Sequence, residues 1–80
     1  MTTNAARNAA RRMETAIHNL DKYSILYDAN VFIKPREADK HAARADVWRE
    51  KSWAAAAVLD AEVGSSHWGW NRSKGTVYFN

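Results

Sequence analysis

Residues 23–34, YSILYDANVFIK, hold the choice on which the fold turns. Two hydrophobic runs, Ile25–Tyr27 and Val31–Ile33, flank the polar triplet Asp28-Ala29-Asn30. β-branched and aromatic residues favour extended structure. With the triplet as a three-residue loop, Tyr27 faces Val31 and Ile25 faces Ile33, which makes a short hairpin. The competing reading carries the preceding helix on to about Asp28. The β-branched content tips the expectation toward the hairpin, or at least one strand.

Upstream, residues 4–22 read as a helix. Ala6, Ala9, Met13, Ile17 and Leu20 recur at the three-to-four spacing that lines one face, with Ala5, Ala10 and Ala16 beside them. Thr3 or Asn4 can cap the free amides at its start. Downstream, Lys34-Pro35-Arg36-Glu37 reads as a second helix start, with Pro35 at the first helical position and Glu37 and Asp39 in the favourable first turn. That helix should run to about Val63 and stop at Gly64. Its front half is charged, with Ala38, Ala42, Ala45 and Trp48 along one face. Its back half, WAAAAVL from Trp53 to Leu59, is apolar all round, which predicts burial on most sides or a shared partner surface.

The stretch from Ser66 to Asn80 has the clearest local pattern. Two aromatic runs flank a turn built from Asn, Arg, Ser, Lys and Gly. If Asn71 pairs with Thr76, Trp70 faces Val77 and Trp68 faces Phe79, so these four share one face. Gly69 and Tyr78 share the other, where the ring can cover the glycine. The expected fold is therefore α+β: two helices, the second long and central, packed on a C-terminal antiparallel β-hairpin, with the short hairpin at 23–34 as a further element.

Size and composition bound what such a fold can be. Eighty residues read as one small domain over 1–80. A chain of this length buries only about 60–65% of its unfolded surface, so the margin of stability is thin. Four Trp, three Tyr and two Phe separate it from chains that stay disordered. Without cysteine there is neither a disulfide nor a thiolate metal site, so packing must hold the core. The first residues carry no apolar leader and no run approaches a membrane span, so the expectation is a cytoplasmic protein without a membrane partner. The net charge of +3 is unevenly spread: residues 1–24 and 65–80 carry +2 each, and residues 25–64 carry −1. Basic ends favour an anionic partner only mildly.

Catalysis finds little support in the residues. The run ILYDANVFI resembles the first strand of the PIN-domain nucleases, in which an Asp at the strand end binds a metal. The resemblance covers about nine residues, and the family's Thr is Ala29 here. It implies an α/β sheet several strands wide and further carboxylates converging on a divalent ion, because phosphodiester hydrolysis needs the metal to make its nucleophile. The other acids from Glu37 to Glu62 all fall on the second helix and cannot all point at Asp28. Asp28 and Asn30 read better as turn residues. His18, His41 and His67 include no pair at the i, i+4 spacing that places two ligands on one helical face. Ser65, Ser66 and His67 are neighbours in sequence, whereas a triad gathers residues from separate segments. No catalytic residue, metal or cofactor is expected.

Binding fits the sequence better. Arg7, Arg11 and Arg12 form a basic patch on the first helix, and Arg72 and Lys74 mark the hairpin tip. A helix followed by a basic-tipped hairpin is similar to winged-helix proteins, and the resemblance implies phosphate contact by Arg72 and Lys74. A DNA- or RNA-binding role through these elements is the alternative expectation, with neighbouring aromatics as stacking platforms. The main expectation is a protein or nucleoprotein partner. Trp48 and Trp53 stand five residues apart and cannot point the same way on a helix. One small core would struggle to bury both together with the remaining tryptophans and tyrosines. Trp, Tyr and Arg are also enriched at interface hot spots. The expected partner-binding residues are thus Arg7, Arg11, Arg12, Trp48, Trp53, Arg72, Lys74 and Tyr78, and the alanine-rich helix could also seat a homodimer. Small, motif-free, cysteine-free chains of this kind are frequent among phage-encoded inhibitors of host machinery, anti-CRISPR proteins included.

Overall fold

The computed structural model describes residues 2–80 and contains four elements: α1 (Asn4–Asn30), α2 (Pro35–Val63), β1 (Trp68–Asn71) and β2 (Thr76–Phe79). This is an α+β arrangement of two mutually packed helices followed by an antiparallel two-stranded hairpin. The molecule is elongated, 49 × 22 × 17 Å, because its helices of 27 and 29 residues each span about 40 Å or slightly more at 1.5 Å per residue.

α1 starts where the cap residue allows. The Thr3 hydroxyl accepts a hydrogen bond from the Ala6 amide at 3.0 Å and donates to the Glu62 carboxylate at 3.1 Å. One side chain thus satisfies an orphan amide of α1 and ties the start of α1 to the end of α2, so the helices run antiparallel. The buried face of α1 is Ala6, Ala9, Ala10, Met13 and Ala16; of the expected stripe Ile17 and Leu20 are only half-buried, and Ala5 beside it is exposed. Small side chains there let α2 approach closely.

The hairpin expected at residues 23–34 does not form. α1 continues without interruption through Asp28-Ala29-Asn30, and the Asn30 side-chain amide donates to the Leu26 carbonyl at 2.7 Å. Asp28 and Asn30 are therefore last-turn helix residues, not loop residues. The competing reading, a continued helix, describes the fold, and the helix ends two residues beyond its expected limit. Extending an existing helix adds a hydrogen bond per residue and needs no new nucleus, whereas an isolated two-stranded hairpin is marginal in water. The extension also gives the front half of α2 something to pack on: the Tyr23 ring stacks on His41 of α2 at 6.1 Å between centroids. Together these terms outweigh strand propensities that span only about 1 kcal/mol.

Residues 31–34 then turn the chain, with the Ile33 and Lys34 amides both donating to the Asn30 carbonyl. Pro35 opens α2 at a position where a missing amide costs nothing, and Glu37 lies in its first turn. α2 ends at Gly64, whose φ of +88° is ordinary for glycine and strained for other residues. The back half of α2 is less enclosed than its composition predicts. Ala55 and Leu59 are buried, but Ala54 and Ala57 are exposed and Trp53 is 64% exposed. Two helices and one hairpin supply too few neighbours to surround it.

The hairpin has the expected register throughout: Trp68 opposite Phe79, Gly69 opposite Tyr78, Trp70 opposite Val77 and Asn71 opposite Thr76. Trp68, Trp70, Val77 and Phe79 pack against the core of Ala6, Ala9, Ala10, Met13, Ala55 and Leu59. The Trp68 indole Nε1 donates to Asp60 of α2 at 2.8 Å, and the Asn80 amide closes the strand ends onto the His67 carbonyl. No helix among the described residues is long and apolar enough to cross a membrane.

Candidate partner-binding surface

Packing α1 against α2 creates a groove of about 520 Å³ lined by Arg11, Arg12 and Thr15 of α1 and Trp48, Lys51, Ala54, Ala55 and Val58 of α2. The α2 side follows from helical spacing: Trp48, Lys51, Ala55 and Val58 succeed one another in steps of three, four and three, so they share one face. Two of the eight lining residues, Ala54 and Ala55, are alanines, and their small side chains leave space that larger ones would have filled. The tryptophan side chain is half-buried, and the Lys51 ammonium lies 4.6 Å from its ring centroid, a cation–π arrangement that holds both in place.

The electrostatics are one-sided. None of the eight lining residues is acidic, while three are cationic. Among the described residues, the ion pairs are Lys40–Glu37 and Arg49–Asp46, both within α2. Arg11, Arg12 and Lys51 therefore converge on an apolar surface with no carboxylate of their own chain at ion-pair distance. Unpaired cations beside solvent-accessible methyl groups make a surface suited to an anionic group with an apolar neighbour.

Of the expected binding residues, the fold brings Arg11, Arg12 and Trp48 together. Arg7 is exposed on α1 but outside the groove. Trp53 stands exposed on another face of α2, as its five-residue offset from Trp48 requires. Arg72 and Lys74 are exposed in the hairpin turn and do not line the groove. Tyr78 is 47% exposed, and its ring lies over Gly69, where an added Cβ would collide with it. That contact gives Tyr78 a packing task within the hairpin.

Two features escaped the sequence reading. Lys51 completes the cationic groove, and its position three residues after Trp48 was the available signal. Phe32 and Ile33, in the turn between the helices, are 95% and 77% exposed. Their solvent exposure follows from the helix continuation, since a hairpin would have paired Ile33 with Ile25.

The depression around Asp28 has a different character. Its lining is Ser24, Tyr27, Asp28, Ala42, Ala45, Asp46 and Arg49, and Arg49 is already paired with Asp46. No group of three or more His, Asp or Glu side chains placed to hold a metal ion occurs among the described residues. No protein-family model matches the chain, and neither curated proteins nor solved structures show a similar protein.

Proposed function

We propose that this protein is a non-catalytic binding protein that acts by occupying a surface of a larger protein or nucleoprotein partner. The observation that supports it is the groove where Arg11, Arg12, Trp48 and Lys51 converge, since it joins unpaired cations to an apolar wall. Such a surface gains most from a partner that supplies both negative charge and apolar area. An inhibitory role by occupancy is within reach of a chain this size, because blocking a site requires only shape, charge and residence time. The nucleic-acid alternative relied on α1 and the hairpin tip together, and Arg72 and Lys74 stand apart from the groove.

The test is affinity capture of the tagged protein from a bacterial lysate, with and without nuclease, alongside the triple variant Arg11→Gln/Arg12→Gln/Lys51→Gln. A protein partner retained after nuclease and lost with the variant is the expected result. Capture abolished by nuclease would transfer the function to nucleic acid. Retention of the same partner by the variant would remove the groove as the binding surface.

A further inference from the structure

We propose that the groove receives an acidic amphipathic helix of the partner protein, with carboxylates placed on Arg11, Arg12 and Lys51 and apolar side chains laid against Ala54 and Val58. This inference rests on the groove being the binding surface and names the chemistry of what fills it.

Three observations select this occupant. The first is charge complementarity: three cations, no acid in the lining and no internal carboxylate partner. Bringing a neutral or basic segment here would leave those cations partly desolvated without compensation, which disfavours it. The second is the wall. Ala54 and Val58 present only aliphatic carbon, with Ala55 buried, so the complementary surface must join apolar side chains to anionic ones. The third is length. From Trp48 to Val58 the wall rises over ten residues, about 15 Å, which matches roughly three turns of a second helix. A helix whose apolar residues recur at i, i+3, i+4 and i+7 presents a seam of that length, the usual helix-in-groove mode. Small wall residues allow the two axes to approach to about 8–10 Å.

Single-stranded nucleic acid fits less well. Base stacking uses an open aromatic face, and Lys51 lies over the Trp48 ring. Backbone tracking calls for a run of cations along a path, whereas Arg72 and Lys74 belong to the separate hairpin turn.

The experiment is selection from a displayed random peptide library on the full-length protein, followed by affinity measurement with one enriched synthetic peptide. The expected outcome is enrichment of Asp and Glu interleaved with Leu, Ile or Phe at helical spacing. Affinity for that peptide should fall about tenfold or more in Arg11→Gln/Arg12→Gln/Lys51→Gln, since three partly exposed ion pairs are lost. It should stay within about twofold in Arg72→Gln/Lys74→Gln, whose charges lie outside the groove. The groove variant should keep the wild-type circular dichroism spectrum and lose no more than about 5 °C of melting temperature, because its three cations hold no carboxylate among the described residues and the one contact removed is the Lys51–Trp48 cation–π pair. Enriched peptides without acidic bias, or with equal affinity for the groove variant, would overturn the proposal. So would an oligo(dT) that displaces the peptide and binds more tightly than it. If the peptides show no acidic bias while a lysate protein is still lost with the groove variant, only the occupant is wrong. If the lysate protein is retained by that variant, the groove reading itself falls.

Discussion

The two ends of this elongated molecule are built from the same pair of helices, yet they are finished differently. At the hairpin end, Ala6, Ala9, Ala10, Met13, Ala55 and Leu59 are covered by Trp68, Trp70, Val77 and Phe79. At the turn end, Ala38 and Ala45 are buried between the helices, while Ile25, Phe32 and Ile33 remain in water. Apolar side chains are available at both ends, so composition does not account for the contrast. The difference is a third layer. Two helices bury only the stripe where they touch, and larger side chains outside that stripe need another element to cover them.

The largest expected effect lies in the covered end. Among the described residues, Leu59 is the one large side chain that is fully buried, so Leu59→Ala should cost about 2–5 kcal/mol. In a domain of this size that is a large share of total stability, and urea unfolding followed by tryptophan fluorescence would measure it. A loss below about 1 kcal/mol would mean that the hairpin end is no better packed than the turn end.

Next in size is the contact on the outer face of the hairpin. A Cβ at Gly69 would collide with the Tyr78 ring, which must swing aside to admit it. Gly69→Ala should therefore destabilise by about 1–2 kcal/mol, and by less in a Tyr78→Ala background. The coupling energy from this double-mutant cycle tests whether Tyr78 serves packing, as its position over Gly69 implies. Additive effects would return the side chain to the pool of binding candidates.

The smallest effect belongs to the turn end. Phe32→Ser removes a ring that touches almost nothing, so thermal stability should change by no more than about 0.5 kcal/mol. A clear loss that depends on protein concentration would instead mean that the ring is buried between two copies in solution. Sedimentation equilibrium of Phe32→Ser and wild type would separate the two outcomes.

Two segments with similar strand-forming residues show how far reading the sequence could go. Trp68–Phe79 forms its hairpin in the expected register because the signals are local and mutually consistent. Asn71 accepts from the Lys74 amide, Gly75 turns the chain at φ +66°, and period-two alternation puts four apolar side chains on one face. Residues 23–34 carry β-branched and aromatic residues as well, but Asp28-Ala29-Asn30 contains no glycine and stays helical. Propensity alone leans the wrong way there. The deciding terms were the helix already in progress and the α2 surface against which Tyr23 could stack. Arg11, Arg12 and Trp48 were legible as binding candidates, whereas Lys51 and the groove itself emerge only when α1 is laid against α2.

The sequence by itself determined the helix starts and stops near Thr3, Pro35 and Gly64, the alanine-rich contact stripe and the pairing of the strands. Each of these is written in residues a few positions apart, through capping, periodicity or turn chemistry. Tertiary structure decided that residues 23–30 are helix, that Phe32 and Ile33 meet water, and that Arg11 and Lys51, forty residues apart, share one apolar groove. Those outcomes depend on which surfaces remain uncovered after the helices pair, a quantity that no local window of sequence contains.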